Sequence, residues 1–327
     1  MPATFWYQKV ALNYYRLKII NTIKNWALPL AMITGTLFYQ TFDHLSFLVP
    51  AFLFAMIFIT YCRISLQEVT FHPLHLWLLI IQILLSITIY FALSPFDPIA
   101  GQAIMICILA PTATAAAVIT AMLGGNIVLL ASYTLFSNFC VTIIVPILFP
   151  LLEIKADLPF FQSFLYILKQ VFPLLILPFV GALMLSKLMP KVYQTIRQKQ
   201  SISFYLWAVS LTIVTARTVR FLVEHSSENK SELVLIALLS LVICILQFIT
   251  GRFLGRRLGD VVSGGQALGQ KNTVLAIWMA QAYMHPLASL GPASYILWQN
   301  SVNTFQLWRC RKKISVQANI SIKNTRN

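Results

Sequence analysis

Charge is scarce in this chain: charged residues make up 10% of it and only nine are Asp or Glu, where an ordinary soluble domain is roughly 25% charged. Cysteine chemistry is missing as well. Cys62, Cys107, Cys140, Cys244 and Cys310 show no CxxC or paired spacing and mostly lie in or beside apolar runs, which excludes a disulfide framework and a zinc site. Neither HExxH, GxSxG nor GxxxxGK[ST] occurs, no His–acid pair is evident, and no carboxylate sits in the middle of an apolar run. A membrane-embedded enzyme needs a convergent acid, base or nucleophile, so no enzyme is expected. A channel would show a repeated charged or carbonyl ring, and none is visible. What remains in abundance is apolar: 58% of residues are hydrophobic and the mean hydropathy is +0.77. These values describe an integral membrane protein.

A span takes about 20 apolar residues, and the chain divides into ten such runs with short polar breaks. They cover about 25–41, 46–62, 74–93, 98–122, 127–151, 164–186, 203–223, 232–254, 262–284 and 287–308, as a single domain over 1–327. The connections are too short for an extramembrane domain. The stretch 309–327 reads as a basic, unstructured cytoplasmic tail.

The placement of the basic residues supports that count. With the N-terminus inside, 18 of the 24 fall on the cytoplasmic side, including Arg63, Lys187, Arg197, Arg252, Arg256 and the run from Arg309, while the other side holds Lys155, Lys169 and Lys230. By the positive-inside rule both termini are cytoplasmic in a cell (inner or plasma) membrane. The net charge of +15 then implies contact with anionic lipid at the cytoplasmic face, not nucleic acid. Arg217 and Arg220 lie near the outer end of the seventh span and read as interfacial. His44, His72, His75, His225 and His285 all lie near span ends, which argues against a proton relay. Lys271 is different, because it falls mid-span with no evident carboxylate partner.

Ten spans suggest two inverted five-helix repeats, about 25–151 and 164–308, because an odd number of spans inverts the second copy. The fourth span of each is interrupted. Pro111 stands in the middle of the fourth span, followed by Thr112, Ala113 and Thr114; the ninth contains Gly264, Gly265 and Gly269 among Gln266, Gln270, Lys271 and Asn272. Proline removes a donor and breaks a helix, and freed backbone groups at membrane depth are tolerated only beside a cavity. The fold expected is therefore all-α with two crossing broken helices. Helix breaks are expected at Pro111, Gly264, Gly265 and Gly269.

Three segments resemble the bile acid:sodium symporters and their bacterial and plastid relatives. Ala110-Pro111 through Gly125-Asn126 is similar to the family's APxGTxSN segment and following (G/R)GN; Gly269-Gln270-Lys271-Asn272-Thr273-Val274-Leu275-Ala276 resembles its ExGxQNSxLA motif; Trp298-Gln299-Asn300 resembles its WxN helix. The resemblance implies a core domain with the two crossing helices, a panel domain, and elevator-like alternating access for an organic anion, either bile-acid-like or sulfated, or a small carboxylate. It also locates departures. The family's acidic sodium ligand falls on Ala267 and the adjacent glutamine on Lys271, its Ser-Asn pair on Ala116 and Ala117, and its fifth-span hydroxyls on Leu130 and Thr134, while Gln82 matches the third-span glutamine.

With those oxygens gone, Lys271 is read as a tethered cation that stands where a coupling ion sits in relatives. The ion-site region is then Gln82, Thr134, Gln266, Gln270 and Lys271, and the substrate-binding set Thr112, Thr114, Lys271, Asn272 and Thr273. If Lys271 stays protonated, the carrier is a sodium-independent uniporter or exchanger; if it takes up a proton with each anion, it is a proton symporter. Sodium symport through other ligands and a non-transporting sensor or scaffold remain open alternatives. No cofactor is expected, and no oligomeric state is readable.

Overall fold

Apolar runs bounded by proline, charge and capping residues become long helices. A computed structural model describes residues 27–63, 69–113, 115–152, 159–199, 201–224 and 230–324, and these are almost entirely helical, with no strand among them beyond one isolated bridge. In chain order they form α1 (Ala27–Leu37), α2 (Tyr39–Asp43), a 3-10 turn (Ser46–Leu48), α3 (Val49–Arg63), α4 (Pro73–Leu93), α5 (Pro98–Leu109), α6 (Ala116–Met122) and α7 (Ile127–Leu151). There follow α8 (Phe160–Leu188), α9 (Pro190–Gln198), α10 (Ser201–Glu224), α11 (Lys230–Leu258), α12 (Val261–Gly269), α13 (Thr273–Tyr283), a second 3-10 turn (Pro286–Ser289) and α14 (Leu290–Asn324).

Among the described residues, six helices are long and apolar enough to cross a membrane. They coincide with the expected spans 46–62, 74–93, 127–151, 164–186, 203–223 and 232–254. The expected fourth and ninth spans are each divided in two, into α5 with α6 and α12 with α13. The first corresponds to α1 and α2, and the tenth to the second 3-10 turn and α14. The chain is an all-α, multi-pass membrane protein. Large apolar side chains such as Leu84, Phe91, Ile143, Val242 and Ile249 stay exposed on these helices, which suits lipid and would be a liability in water.

The tail differs from expectation. Instead of being unstructured, the chain beyond Arg309 continues α14 to Asn324. Arg309 lies over the Phe305 ring and Lys312 over Trp308, contacts four residues apart that favour continuing the helix.

Helix starts are set by local chemistry. Asp97 caps α5 ahead of Pro98, Asn126 caps α7, Asp260 caps α12 and Asn272 caps α13. His72 and His75 form a reciprocal cap at α4, and His75, buried, also bonds Leu129 O at 3.0 Å. Packing then brings the elements together. Helix α3 packs on both α8 and α10, with α2 on α10, while α11 packs on α12, α14 and α5. The closest approach joins α11 to α12: a Cβ on Gly251 would come within 2.2 Å of Gly264 O, so both positions admit only glycine.

Candidate functional site

A residue before proline is forced out of helical geometry, and Ala110 accordingly has φ −50° and ψ 140°, which ends α5 at Leu109. The second interruption follows Gly269, where Gln270 is extended and Asn272 begins α13. The two interruptions meet. Thr112 and Lys271 form an antiparallel bridge, in which Ala113 N donates to Gln270 O at 2.9 Å and Asn272 N donates to Pro111 O at 2.8 Å.

Side chains satisfy the carbonyls freed on either side. Lys271 Nζ donates to Ile108 O at 2.7 Å, and Thr112 Oγ1 donates to Ala267 O at 2.8 Å. Each acceptor precedes the partner's bridge residue by four positions. The outer ring of bonds follows the same plan: Gln82 Nε2 reaches Leu109 O at 2.7 Å and Ala110 O at 3.2 Å, and Tyr295 OH reaches Gly269 O at 2.8 Å. Tyr133 OH donates to Gln82 Oε1 at 2.7 Å, and Gln247 Nε2 donates to Tyr295 OH at 3.0 Å. Gln299 adds a bond pair at the second break with no counterpart at the first among the described residues, accepting from Lys271 N at 2.8 Å and donating to Lys271 O at 3.3 Å.

Lys271 is 1% exposed and forms no ion pair with any described carboxylate. Its ammonium lies at the C-terminal end of α5, where the helix dipole places partial negative charge and unpaired carbonyls. Of its three donors, Ile108 O takes one.

Beside the bridge lies a cavity of about 1480 Å³. Thr134, Gln270, Lys271, Asn272 and Thr273 line its deep end with Gln299, Asn300 and Asn303, while Met56, Trp207, Leu297 and Phe305 contribute apolar wall. Arg63, Val69, Ser203 and Trp308 also line it, so it extends toward the end of the molecule that carries Arg63. Gln270 Oε1 and Asn303 Nδ2 are buried there without a hydrogen-bond partner.

Several expected site residues have other duties. Thr112 does not line the cavity, because its hydroxyl closes the α12 end. Gln82 commits both ends of its amide to the first break, and Gln266 Nε2 bonds Asn303 at 2.9 Å and Gln306 at 3.2 Å, so neither faces the cavity. Gly264 and Gly265 are not breaks: both lie within α12, packed on Gly255 and Arg252 of α11, and only Gly269 borders the interruption. Thr134 Oγ1 donates to Leu130 O at 3.0 Å and Asn272 Oδ1 caps α13, yet both still line the cavity. Thr114 lies outside the described residues.

No family model matches the chain, and no curated protein matches it.

Sequence reasoning missed the supporting residues. Gln247, Tyr133, Tyr295 and Gln299 are polar groups deep within apolar helices, which was the available signal. Asp260 was passed over because it lies in a loop. Its Oδ2 accepts from Ser263 N at 2.7 Å and from Asn126 N at 3.1 Å, and the single proton of Ser263 Oγ is shared between it and Asn126 O, which lies 2.9 Å away. The turn after α6 is thereby tied to the start of α12. Burial opposes the Asp260 charge, but the hydrogen bonds from Ser263 and Asn126 outweigh it and hold the carboxyl below its ordinary value of 3.8.

Proposed function

We propose that the chain is a secondary carrier of an organic anion, of the bile acid:sodium symporter type, with ten spans in two inverted repeats. One observation carries this reading: two broken helices are paired through their interruptions beside a large cavity, with the buried ammonium of Lys271 at the junction. The matching bond plans around Thr112 and Lys271, with Gln82 and Tyr133 answering Gln247 and Tyr295, support an inverted duplication.

In this reading α4 to α7 and α11 to α14 form the core domain, and the remaining helices form the panel. With the orientation expected from the positive-inside distribution, the cavity faces the cytoplasm and this conformation corresponds to an inward-open state of the proposed carrier. An anion's acidic group meets Lys271 and the N-terminal end of α13 at Asn272 and Thr273, and its body rests on the apolar wall. Lys271 supplies positive charge that a coupling ion supplies in the family, which makes transport sodium-independent.

The test is charge-translocation current with tracer flux as a check on electroneutral transport. Reconstituted protein is challenged with carboxylates and sulfated organic acids in sodium, choline and stepped pH, alongside Lys271→Gln. Anion-evoked signals that persist in choline and vanish in Lys271→Gln are expected, and their pH dependence separates proton symport from uniport. An absolute sodium requirement would overturn the role given to Lys271. Binding without flux would overturn the carrier and leave a sensor or scaffold.

A further inference from the structure

Arg217 and Arg220 lie far from the cavity. Phe204 lines it, and Arg220 is about 24 Å further along α10 at 1.5 Å per residue. Here α2 and α10 face α13 and the second 3-10 turn across a separate pocket of about 350 Å³, lined by Asp43, Arg217, Arg220, Glu224, Gln281 and Ser289 among others. Arg220 Nη1 donates to Asp43 Oδ2 at 2.6 Å and its Nε to Glu224 Oε1 at 2.8 Å.

Beneath that ion cluster, a polar seal joins α10 to α13 and the 3-10 turn. Gln281 Nε2 donates to Thr218 Oγ1 at 3.0 Å and to Val214 O at 3.2 Å, and Thr218 Oγ1 meets Ser289 Oγ at 3.2 Å. This seal lies toward the end of α10 away from Ser203, Phe204 and Trp207, which line the large cavity.

We propose that this pocket is a second anion site, at which the carboxylate or sulfate of an organic anion replaces Asp43 on Arg220. The proposal rests on the carrier reading given above. A guanidinium presents a planar fork suited to carboxylate and sulfate oxygens, and Asp43 engages it through one oxygen. Arg220 is 39% exposed, so its guanidinium is open to solvent, and an incoming carboxylate that takes the place of Asp43 on Nη1 leaves the Glu224 contact on Nε intact. Arg217 adds a second positive charge at the rim and draws anions in. The pocket volume matches the lower range of small-molecule sites. The bound anion lies one turn or less from Thr218, so its arrival acts directly on the seal that alternating access must part. Contacts besides the Asp43–Arg220 pair hold this segment, because α2 packs on α10 and α1 is pressed onto α10 at Gly35.

Titration calorimetry of the full-length protein in detergent micelles, with 2-naphthoate as the probe, tests this. The parent is expected to show two binding components. Asp43→Asn removes the competing carboxylate and tightens one of them several-fold; Arg220→Gln deletes that same component; Lys271→Gln deletes only the other. A single Lys271-dependent component, unaltered in Asp43→Asn, overturns the second site and leaves the carrier reading standing. No binding by the parent of 2-naphthoate or of any acid in the transport panel overturns both. Should Arg220→Gln fail to fold, Asp43→Asn decides alone, since an unchanged affinity is fatal to the exchange of carboxylates on Arg220.

Discussion

Thr112 and Lys271 face each other across one bridge, and each donates its side chain to a carbonyl at the end of the other's half-helix, yet one brings a neutral hydroxyl and the other an ammonium. The hydroxyl has one proton to donate, and Ala267 O takes it, so Thr112 is a strut. The ammonium has donors left over after Ile108 O, and Lys271 is among the residues that line the cavity. The same backbone frame is thus structural on one side and chemically equipped on the other. A second difference accompanies the first: Lys271 has both backbone groups held by Gln299, a bracket with no counterpart among the bonds of Thr112. Extra bracing is what a buried charge needs if it is to stay at one depth.

The sharpest way to break the comparison is to make the two sides alike. Lys271→Thr retains a short donor at the bridge and removes the charge. A hydrogen bond to a charged group contributes about 1.5–3 kcal/mol, or about 10- to 150-fold in affinity. Anion binding and tracer flux are expected to fall by that factor while the protein stays monodisperse. An unaltered Lys271-dependent binding component would mean that the ammonium caps α5 and does nothing more.

Removing the bracket has a smaller effect. Gln299→Leu leaves Lys271 N and O without their partner in a buried setting, and each orphaned group costs about 1–3 kcal/mol. A lowered Tm in detergent with weakened but measurable anion binding is expected. An unchanged Tm would show that the backbone bridge to Thr112 positions Lys271 unaided.

How far the sequence revealed this arrangement can be judged residue by residue. Pro111 announced its break because proline's constraint on the preceding residue is local and independent of context. The second break was placed in the right span on weaker grounds. Gly264 and Gly265 looked like helix breakers, but small residues in membrane helices also permit close packing, and the contacts with α11 decide between these roles only in three dimensions. Lys271 stood out because charge at mid-span is rare. Its partner, Ile108 O, is a main-chain atom 163 residues away that no pattern encodes. Thr112 and Gln82 had suitable chemistry for a ligand set, and their hydrogen bonds assign them to the helix ends instead. Tyr295 and Gln247 gave no signal beyond polarity, because their role depends on the crossing that brings Gly269 O within reach.

The smallest effect concerns Asp260, which ties the outer frame of both breaks together from the loop. Its folded-state carboxyl titrates below the ordinary 3.8, so its ionised form stabilises the fold. That contribution is present in full above the ordinary value and is lost as pH falls through the lower, folded one. Asp260→Asn keeps an oxygen to cap α12 but not the charge that holds Ser263 and Asn126 at once, and replacing an N-cap acid alters stability by about 0.5–2 kcal/mol, with the low end expected at this partly exposed site. At neutral pH the parent should therefore melt slightly above Asp260→Asn, and the two curves should converge as pH drops below about 4, the ordinary carboxylate range. Melting curves that stay parallel well below that pH, through the lower folded value, would show that the carboxylate's charge adds nothing to the tie, and that Asn126 and Ser263 hold the two loops through their direct hydrogen bond alone.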